Sequence, residues 1–289
     1  MPEITRQLLA LAEELHIPAE VLPPLAATAK TLPDLPLAAL AAPETAGEAW
    51  ADAMKRLPDW RSDGGMAQLA TVLAAACLTR DVYRRTGVSD RIFLDTMNCL
   101  PRFLKETREL TGRWAFDRGF WTWRQTGGLL FRLGALEFEY VPASEGLLPP
   151  GLAPEDPALH VHIPSDAALT RAALDDSYAQ AGRFFAREGA VFCTRGAPKA
   201  MLCDSWLLAP ALDELLLSTS GIRRFAGDFD RFLVREDDDS FYRWLFKTPE
   251  PVPLADLPEN TSLQRAVKAH LAAGGKLGAA GGVRREEAQ

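Results

Sequence analysis

At Gly134 the hydrophobic period of the chain changes, and that change constrains the fold more than any single motif does. Upstream, Ile4, Leu8, Leu11 and Leu15 recur at helical spacing, as do Met66, Leu69, Leu73 and Cys77, with Ala74, Ala75 and Ala76 adding high helix propensity. Downstream, Leu136, Phe138 and Tyr140 alternate with Glu137 and Glu139, and Leu159, Val161 and Ile163 alternate with His160 and His162. A two-residue repeat with one apolar side describes a strand packed on one face. The two segments read as a hairpin with a wide connection. An α+β protein follows, with a helical N-terminal domain over residues 1–131 and a mixed α/β C-terminal domain over residues 132–289.

Composition agrees with that division. A chain of 289 residues with 47% hydrophobic and 25% charged residues has the proportions of an ordinary globular protein, and the length suits two domains. Lys and Arg total 32 against 39 Asp and Glu, a net charge of -7, so the summed field repels phosphate backbones and argues against nucleic-acid binding. No apolar run approaches the ~18 residues of a membrane span, and Met1-Pro2-Glu3 does not open a basic leader, so a cytoplasmic protein without membrane contact is expected. Cys77, Cys99, Cys193 and Cys203 lack paired spacing and sit among apolar residues, which predicts buried thiols and neither a disulfide framework nor a metal site.

Element boundaries come from turn and cap chemistry. Pro18, Pro23, Pro24, Pro33, Pro36 and Pro43 cut the N-terminal region into short pieces. Asp63-Gly64-Gly65 is a turn, Gly87 ends a buried helix, Ser89 caps the next, and the period from Ile92 to Leu104 continues through an expected kink at Pro101. The block Trp114, Phe116, Phe120, Trp121 and Trp123 reads as core packing rather than a ligand pocket. Ala143 to Pro157 reads as a surface loop, and Thr170 caps a helix carrying Leu174, Tyr178, Ala181 and Phe185 on one side. Val191-Phe192-Cys193, Met201-Leu202-Cys203 and Phe232-Leu233-Val234 are expected strands. Pro210 is expected to open a helix, Phe241 to Phe246 a short one, and Ser262 to Ala273 a longer one. Gly274 to Gly282 reads as a flexible or strand-like tail.

The chain lacks the spacings of P-loop, dinucleotide-fold, hydrolase-elbow and zincin motifs. Three constellations carry chemistry instead. If the two alternating strands pair with their apolar residues together, Glu137, Glu139, His160 and His162 share the opposite face. That carboxylate–imidazole surface reads as a solvated sheet face, as a proton-transfer site or, given one further ligand, as a metal site. Ser218-Thr219-Ser220-Gly221 with Arg223 and Arg224 reads as an ordinary helix cap or as a phosphate cradle. Cys203-Asp204-Ser205-Trp206 reads as a buried strand end with Trp206 in the core; as a nucleophile site it lacks a neighbouring base.

Several spaced blocks resemble a family. They are Phe116-Asp117-Arg118-Gly119-Phe120-Trp121-Thr122-Trp123-Arg124-Gln125, Phe131-Arg132-Leu133-Gly134 with Leu136-Glu137-Phe138-Glu139, and Leu159-His160-Val161-His162-Ile163-Pro164-Ser165-Asp166. Ser205-Trp206-Leu207-Leu208 with Pro210, Asp238-Asp239-Ser240-Phe241, and Leu257-Pro258 with Thr261-Ser262-Leu263-Gln264 continue the pattern. Over about residues 60 to 282 the chain resembles bacterial acyltransferase-domain proteins, which join an N-acyltransferase N-terminal domain to a GNAT-like C-terminal domain. The resemblance implies transfer of an acyl group from acyl-CoA or acetyl-CoA to a small-molecule or peptide amine, without a metal. It implies a base among His162, His160, Glu137 and Glu139, with His162 favoured because it lies nearest the strand end, and a tyrosine, Tyr178 or Tyr242, to protonate the leaving thiolate. Ser218, Ser220, Gly221, Arg223 and Arg224 are the candidate CoA-binding residues, joined by Ser205 and Trp206. The wider GNAT pyrophosphate loop has its nearest counterpart in Arg124-Gln125-Thr126-Gly127-Gly128-Leu129, which departs at its last position and precedes the first strand. The alternative is a catalytically silent GNAT-like module that binds a ligand or a protein.

Overall fold

A computed structural model describes residues 3–143, 148–248 and 251–284, so four residues of the expected Ala143 to Pro157 loop lie outside the described residues. The chain divides into two compact units: residues 1–133 with 187–192, and residues 134–186 with 193–289.

The first unit is helical, with nine helices from Glu3–Glu14 to Gly119–Thr126 among the described residues, followed by one short strand, β1 (Leu130–Leu133). Its centre is the helix Met66–Thr86, buried on every side from Met66 to Ala76, against which the helices Glu3–Glu14, Leu22–Thr28 and Gly119–Thr126 pack. The predicted turn before it has a specific construction. Gly64 and Gly65 take φ of 68° and 74°, and the Asp63 carboxylate accepts hydrogen bonds from the amides of Gly65 (2.8 Å) and Ala67 (2.9 Å). The expected single helix through Pro101 is two helices, Asp90–Met97 and Cys99–Thr111. Pro101 falls in the first turn of the second, where its missing N–H costs no helical bond.

Val191-Phe192-Cys193 is not a strand. Glu188–Phe192 forms a 3₁₀ turn, and the Phe192 ring meets Tyr83 (5.7 Å between ring centres) and Phe131 (5.3 Å), with Phe93 also on Tyr83. Burying one aromatic ring in that cluster outweighs strand propensity in so short a run.

The second unit is built on a sheet. Its strands are β2 (Leu136–Pro142), β3 (Pro157–His162), β4 (Met201–Ser205), β5 (Asp230–Arg235) and β6 (Ala279–Arg284), in the spatial order β2-β3-β4-β6-β5. β2 and β3 are antiparallel, as the alternating sequence implies, and β3 runs parallel to β4. The glycine-rich tail supplies β6, an interior strand paired with β4 on one side and β5 on the other. The helix Arg171–Ala186 follows β3, its amide of Ala173 donating to the Thr170 hydroxyl as expected of a cap. The helix expected at Pro210 begins later and is brief, Leu212–Leu215.

A second apolar cluster, Ala209, Leu212, Phe241, Leu245, Phe246, Leu257, Val267 and Leu277, is tied by one glutamine. Gln264 forms a reciprocal capping box with Thr261 at the start of the helix Ser262–Ala272, and its amide also donates to the buried carbonyl of Leu245 at 2.8 Å, in the π-helical turn Tyr242–Phe246. We expect Gln264→Ala to cost about 2 kcal/mol, since it removes part of a cap and strands a buried carbonyl, whereas Thr261→Ala should cost about 1 kcal/mol. Denaturant midpoints check this; equal losses in the two variants would show that the Leu245 bond contributes nothing.

Candidate active site

The register of the β2–β3 pair sets Glu137 opposite His162 and Glu139 opposite His160. Because side chains alternate, all four project from one face, while Phe138, Tyr140, Leu159 and Val161 project from the other. The polar face is not a solvated one: Glu137 is 3% and Glu139 5% exposed. Burial of carboxylates at that level requires partners. One is explicit, since Nε2 of His162 lies 2.8 Å from Oε2 of Glu139, a diagonal contact across the two strands. The His162 side chain keeps 25% of its surface exposed, and the rings of His160 and His162 are 6.3 Å apart. An imidazole held by a buried carboxylate at an accessible edge can accept and return a proton.

The sheet opens beside this pair. Pairing between β3 and β4 sets Leu159 opposite Met201 and His160 opposite Leu202, is extended at its start by the Lys199 amide donating to the Pro157 carbonyl (2.8 Å), and is not continued beyond His160. Both strands continue, β3 to His162 against β2 and β4 to Ser205 against β6, so their outer neighbours hold them while the inner edges part. Strand edges that part leave backbone N–H and C=O groups directed into the gap. Eight residues separate the end of β3 from the helix Arg171–Ala186, so its N-terminus and the opening belong to one strand–loop–helix passage.

The remaining expected residues are placed as follows. Tyr178 is on the other side of the sheet from the Glu–His face: its ring meets Phe138 edge-on at 6.5 Å. Its hydroxyl donates to Asp228 (3.0 Å), Arg171 grips the same carboxylate at 2.6 and 3.2 Å, and the Arg284 guanidinium lies 4.1 Å over the ring. Burial, reinforced by the Asp228 charge, pushes the phenol far above its usual range, so it is a poor proton donor to a thiolate. Tyr242 packs against Phe241 and Phe246 in the second apolar cluster. The structure thus brings neither tyrosine to the imidazoles.

Ser205 ends β4, its hydroxyl accepting from the amide of Leu207 (3.1 Å), and Trp206 packs on the second apolar cluster. Ser218, Ser220 and Gly221 lead into the helix Gly221–Ala226, which spans only six residues, and Ser220 makes no side-chain cap. Arg223 is committed: its guanidinium donates to the carbonyls of Asp213 (2.6 Å) and Leu216 (3.4 Å). Arg224 is exposed. Gly221 packs under the Leu169 carbonyl, so this segment adjoins the start of the helix Arg171–Ala186. Among the described residues, no group of three or more His, Cys, Asp or Glu is arranged to hold a metal ion.

A helical unit followed by a unit built on a mixed sheet corresponds to a known pairing of domains. The N-acyltransferase N-terminal domain matches residues 2–128, and the GNAT-like C-terminal domain matches residues 130–284. The chain belongs to the family that joins an N-acyltransferase N-terminal domain to a GNAT-like C-terminal domain. Among solved structures, an acyltransferase in complex with decanoyl-CoA and teicoplanin is similar at a TM-score of 0.76 and 23% identity, over 96% of this chain and 86% of that one. An acyltransferase mutant in complex with octanoyl-CoA gives 0.76 and 22%, over 96% and 87%, and an acyltransferase in complex with CoA and 10C-Teicoplanin gives 0.75 and 23%, over 96% and 86%. These likenesses establish the fold. No curated protein matches the chain.

Two features of this family member were not expected from its sequence. One is the parting of β3 from β4, which depends on which strands become neighbours and has no counterpart in the local pattern. The other is the ion pairing of Arg171 at the start of the helix Arg171–Ala186 with Asp175 and Asp228, the latter 57 residues away in sequence. No helix among the described residues is long and apolar enough to cross a membrane.

Proposed function

We propose that the protein transfers an acyl group from a CoA thioester to the amine of a small molecule or peptide, in the cytoplasm, with His162 as the base. The observation that carries this reading is the parting of β3 and β4 next to the Glu139–His162 pair. The thioester lies in that gap, where strand amides polarise its carbonyl as oxyanion donors do. An amine of ordinary basicity is almost wholly protonated at neutral pH, and His162 removes the proton before attack. The solved acyltransferases were bound to decanoyl-CoA, octanoyl-CoA and teicoplanin, which supports a medium-chain acyl donor and an amine on a glycopeptide-like acceptor.

For the CoA phosphates we favour the N-terminus of the helix Arg171–Ala186, where backbone amides and the positive end of the helix dipole lie, with exposed Arg224 on the adjoining segment. Arg171 pairs with Asp175 and Asp228, so its charge is shared with the fold.

Thermal-shift titration of the whole chain with CoA, octanoyl-CoA and decanoyl-CoA tests the donor, since ligand at 100 times its Kd adds about 2.7 kcal/mol to apparent stability. The absence of any shift with all three would end the acyl-CoA reading. In the same assay, Arg224→Ala should weaken CoA binding by roughly tenfold, in line with loss of one charge-assisted contact of about 1.5 kcal/mol, whereas Arg171→Ala should also lower the melting temperature because it releases Asp228 and Asp175. Arg223→Ala should instead lower the melting temperature of the unliganded protein, because it unties two carbonyls. Wild-type CoA affinity in folded Arg224→Ala protein would move the phosphate site elsewhere.

A further inference from the structure

We infer that Glu139 is the positioning residue that makes Nδ1 of His162, rather than Nε2, the atom that takes the substrate's proton; the inference rests on the acyl-transfer reading above. Of the two strand carboxylates, Glu137 is the direct cross-strand partner of His162, yet it is the diagonal neighbour Glu139 whose Oε2 lies 2.8 Å from Nε2. An ionised carboxylate only accepts hydrogen bonds, so in the neutral ring the hydrogen sits on Nε2 and donates to Glu139. The opposite tautomer would place two lone pairs face to face at that distance. Glu139 is 5% exposed, so its orientation is fixed by the sheet and its charge is little screened. A carboxylate bonded to one ring nitrogen fixes the tautomer and stabilises the imidazolium that forms, without itself becoming protonated.

The proton balance follows. The substrate ammonium gives one proton to Nδ1, producing an imidazolium with both nitrogens protonated and Nε2–H still bonded to Glu139. The freed amine nitrogen attacks the thioester carbonyl carbon, forming the C–N bond, and its second proton passes to water. Collapse of the tetrahedral adduct breaks the C–S bond, and the departing thiolate takes the proton from Nδ1. Ammonium and acyl-CoA become amide, free CoA thiol and one released proton, with His162 and Glu139 restored.

The chain has four histidines, which makes ring-nitrogen NMR of the full-length protein tractable. With ¹⁵N-labelled histidine, and His162→Gln to assign the signal, wild-type His162 should show a protonated Nε2 and a lone-pair Nδ1. Glu139→Gln should shift that balance, because a carboxamide can donate to Nε2 and drive the hydrogen to Nδ1. It should lower kcat by roughly 10²-fold while leaving KM for octanoyl-CoA within about twofold, and Glu139→Asp should recover part of the loss. A wild-type signal with the hydrogen on Nδ1, or wild-type kcat in folded Glu139→Gln, overturns the inference. If His162→Gln is inactive while Glu139→Gln is fully active, only the positioning role falls. If His162→Gln keeps normal turnover, the base itself is misassigned and the inference goes with it.

Discussion

Replacing His162 by Ala or Gln should reduce amine acylation per folded molecule by roughly 10²-fold or more, while acyl-CoA still binds. The two substitutions differ in what they leave behind. Ala removes one partner of the buried Glu139 carboxylate, so part of its effect will be lost stability, whereas a Gln amide can still donate to that carboxylate but cannot take a proton. A role in catalysis therefore predicts two equally slow enzymes, one of them close to wild type in melting temperature. A role confined to the sheet predicts a destabilised Ala variant and a Gln variant with normal turnover. Recording melting temperature and initial rate on the same samples separates these outcomes, and normal turnover in the Gln variant would remove His162 from the reaction.

The second large effect is expected far from the chemistry. Gly65→Ala should destabilise the helical unit by about 3–5 kcal/mol, a large share of the stability of such a unit, because a Cβ there would lie 1.9 Å from the Phe116 carbonyl oxygen. That oxygen belongs to backbone held by the Phe116 amide bond to the Gly64 carbonyl (2.9 Å), so neither side can yield alone. Gly87 provides the control. It has φ of 84° but nothing within 4 Å of an added Cβ, so Gly87→Ala should cost only about 1 kcal/mol of left-handed strain. Circular dichroism through a urea titration measures both. Similar losses in the two variants would show that the close approach to Phe116 is easily relaxed.

What the sequence made legible was whatever depends on local period. Alternation in Leu136–Tyr140 and Leu159–Ile163 implied a strand pair with Glu137, Glu139, His160 and His162 on one face, because pairing apolar sides together leaves no other arrangement. The diagonal bond from Glu139 to His162 was not legible, since it depends on register and side-chain reach rather than on spacing. The segment Gly274 to Gly282 could not be resolved between tail and strand because glycine and alanine carry almost no hydropathy contrast. In the fold that lack of side chains is what the strand requires: an added Cβ at Gly282 would come 2.8 Å from Cβ of Phe229 and 3.0 Å from the Leu208 side chain. Arg223 and Arg224 looked equivalent in sequence, one turn inside a helix, and only the Asp213 and Leu216 carbonyls distinguish the first as a structural residue. Val191-Phe192-Cys193 failed as a strand for the general reason that three apolar residues cannot announce their period.

The position of β6 bears on the order in which this protein can be made. β6 is last of the strands in sequence, yet it occupies the interior of the sheet, between β4 and β5. As the chain emerges from a ribosome, β2, β3 and β4 are available to one another early, but β5 is synthesised before the strand it must pair with exists. Until Ala279–Arg284 is released, the β4 edge and the β5 edge that β6 covers are both open. The nascent second unit therefore waits on a glycine-rich segment of low intrinsic strand preference to close its sheet. A holdase covering open strand edges should protect this protein most during that interval.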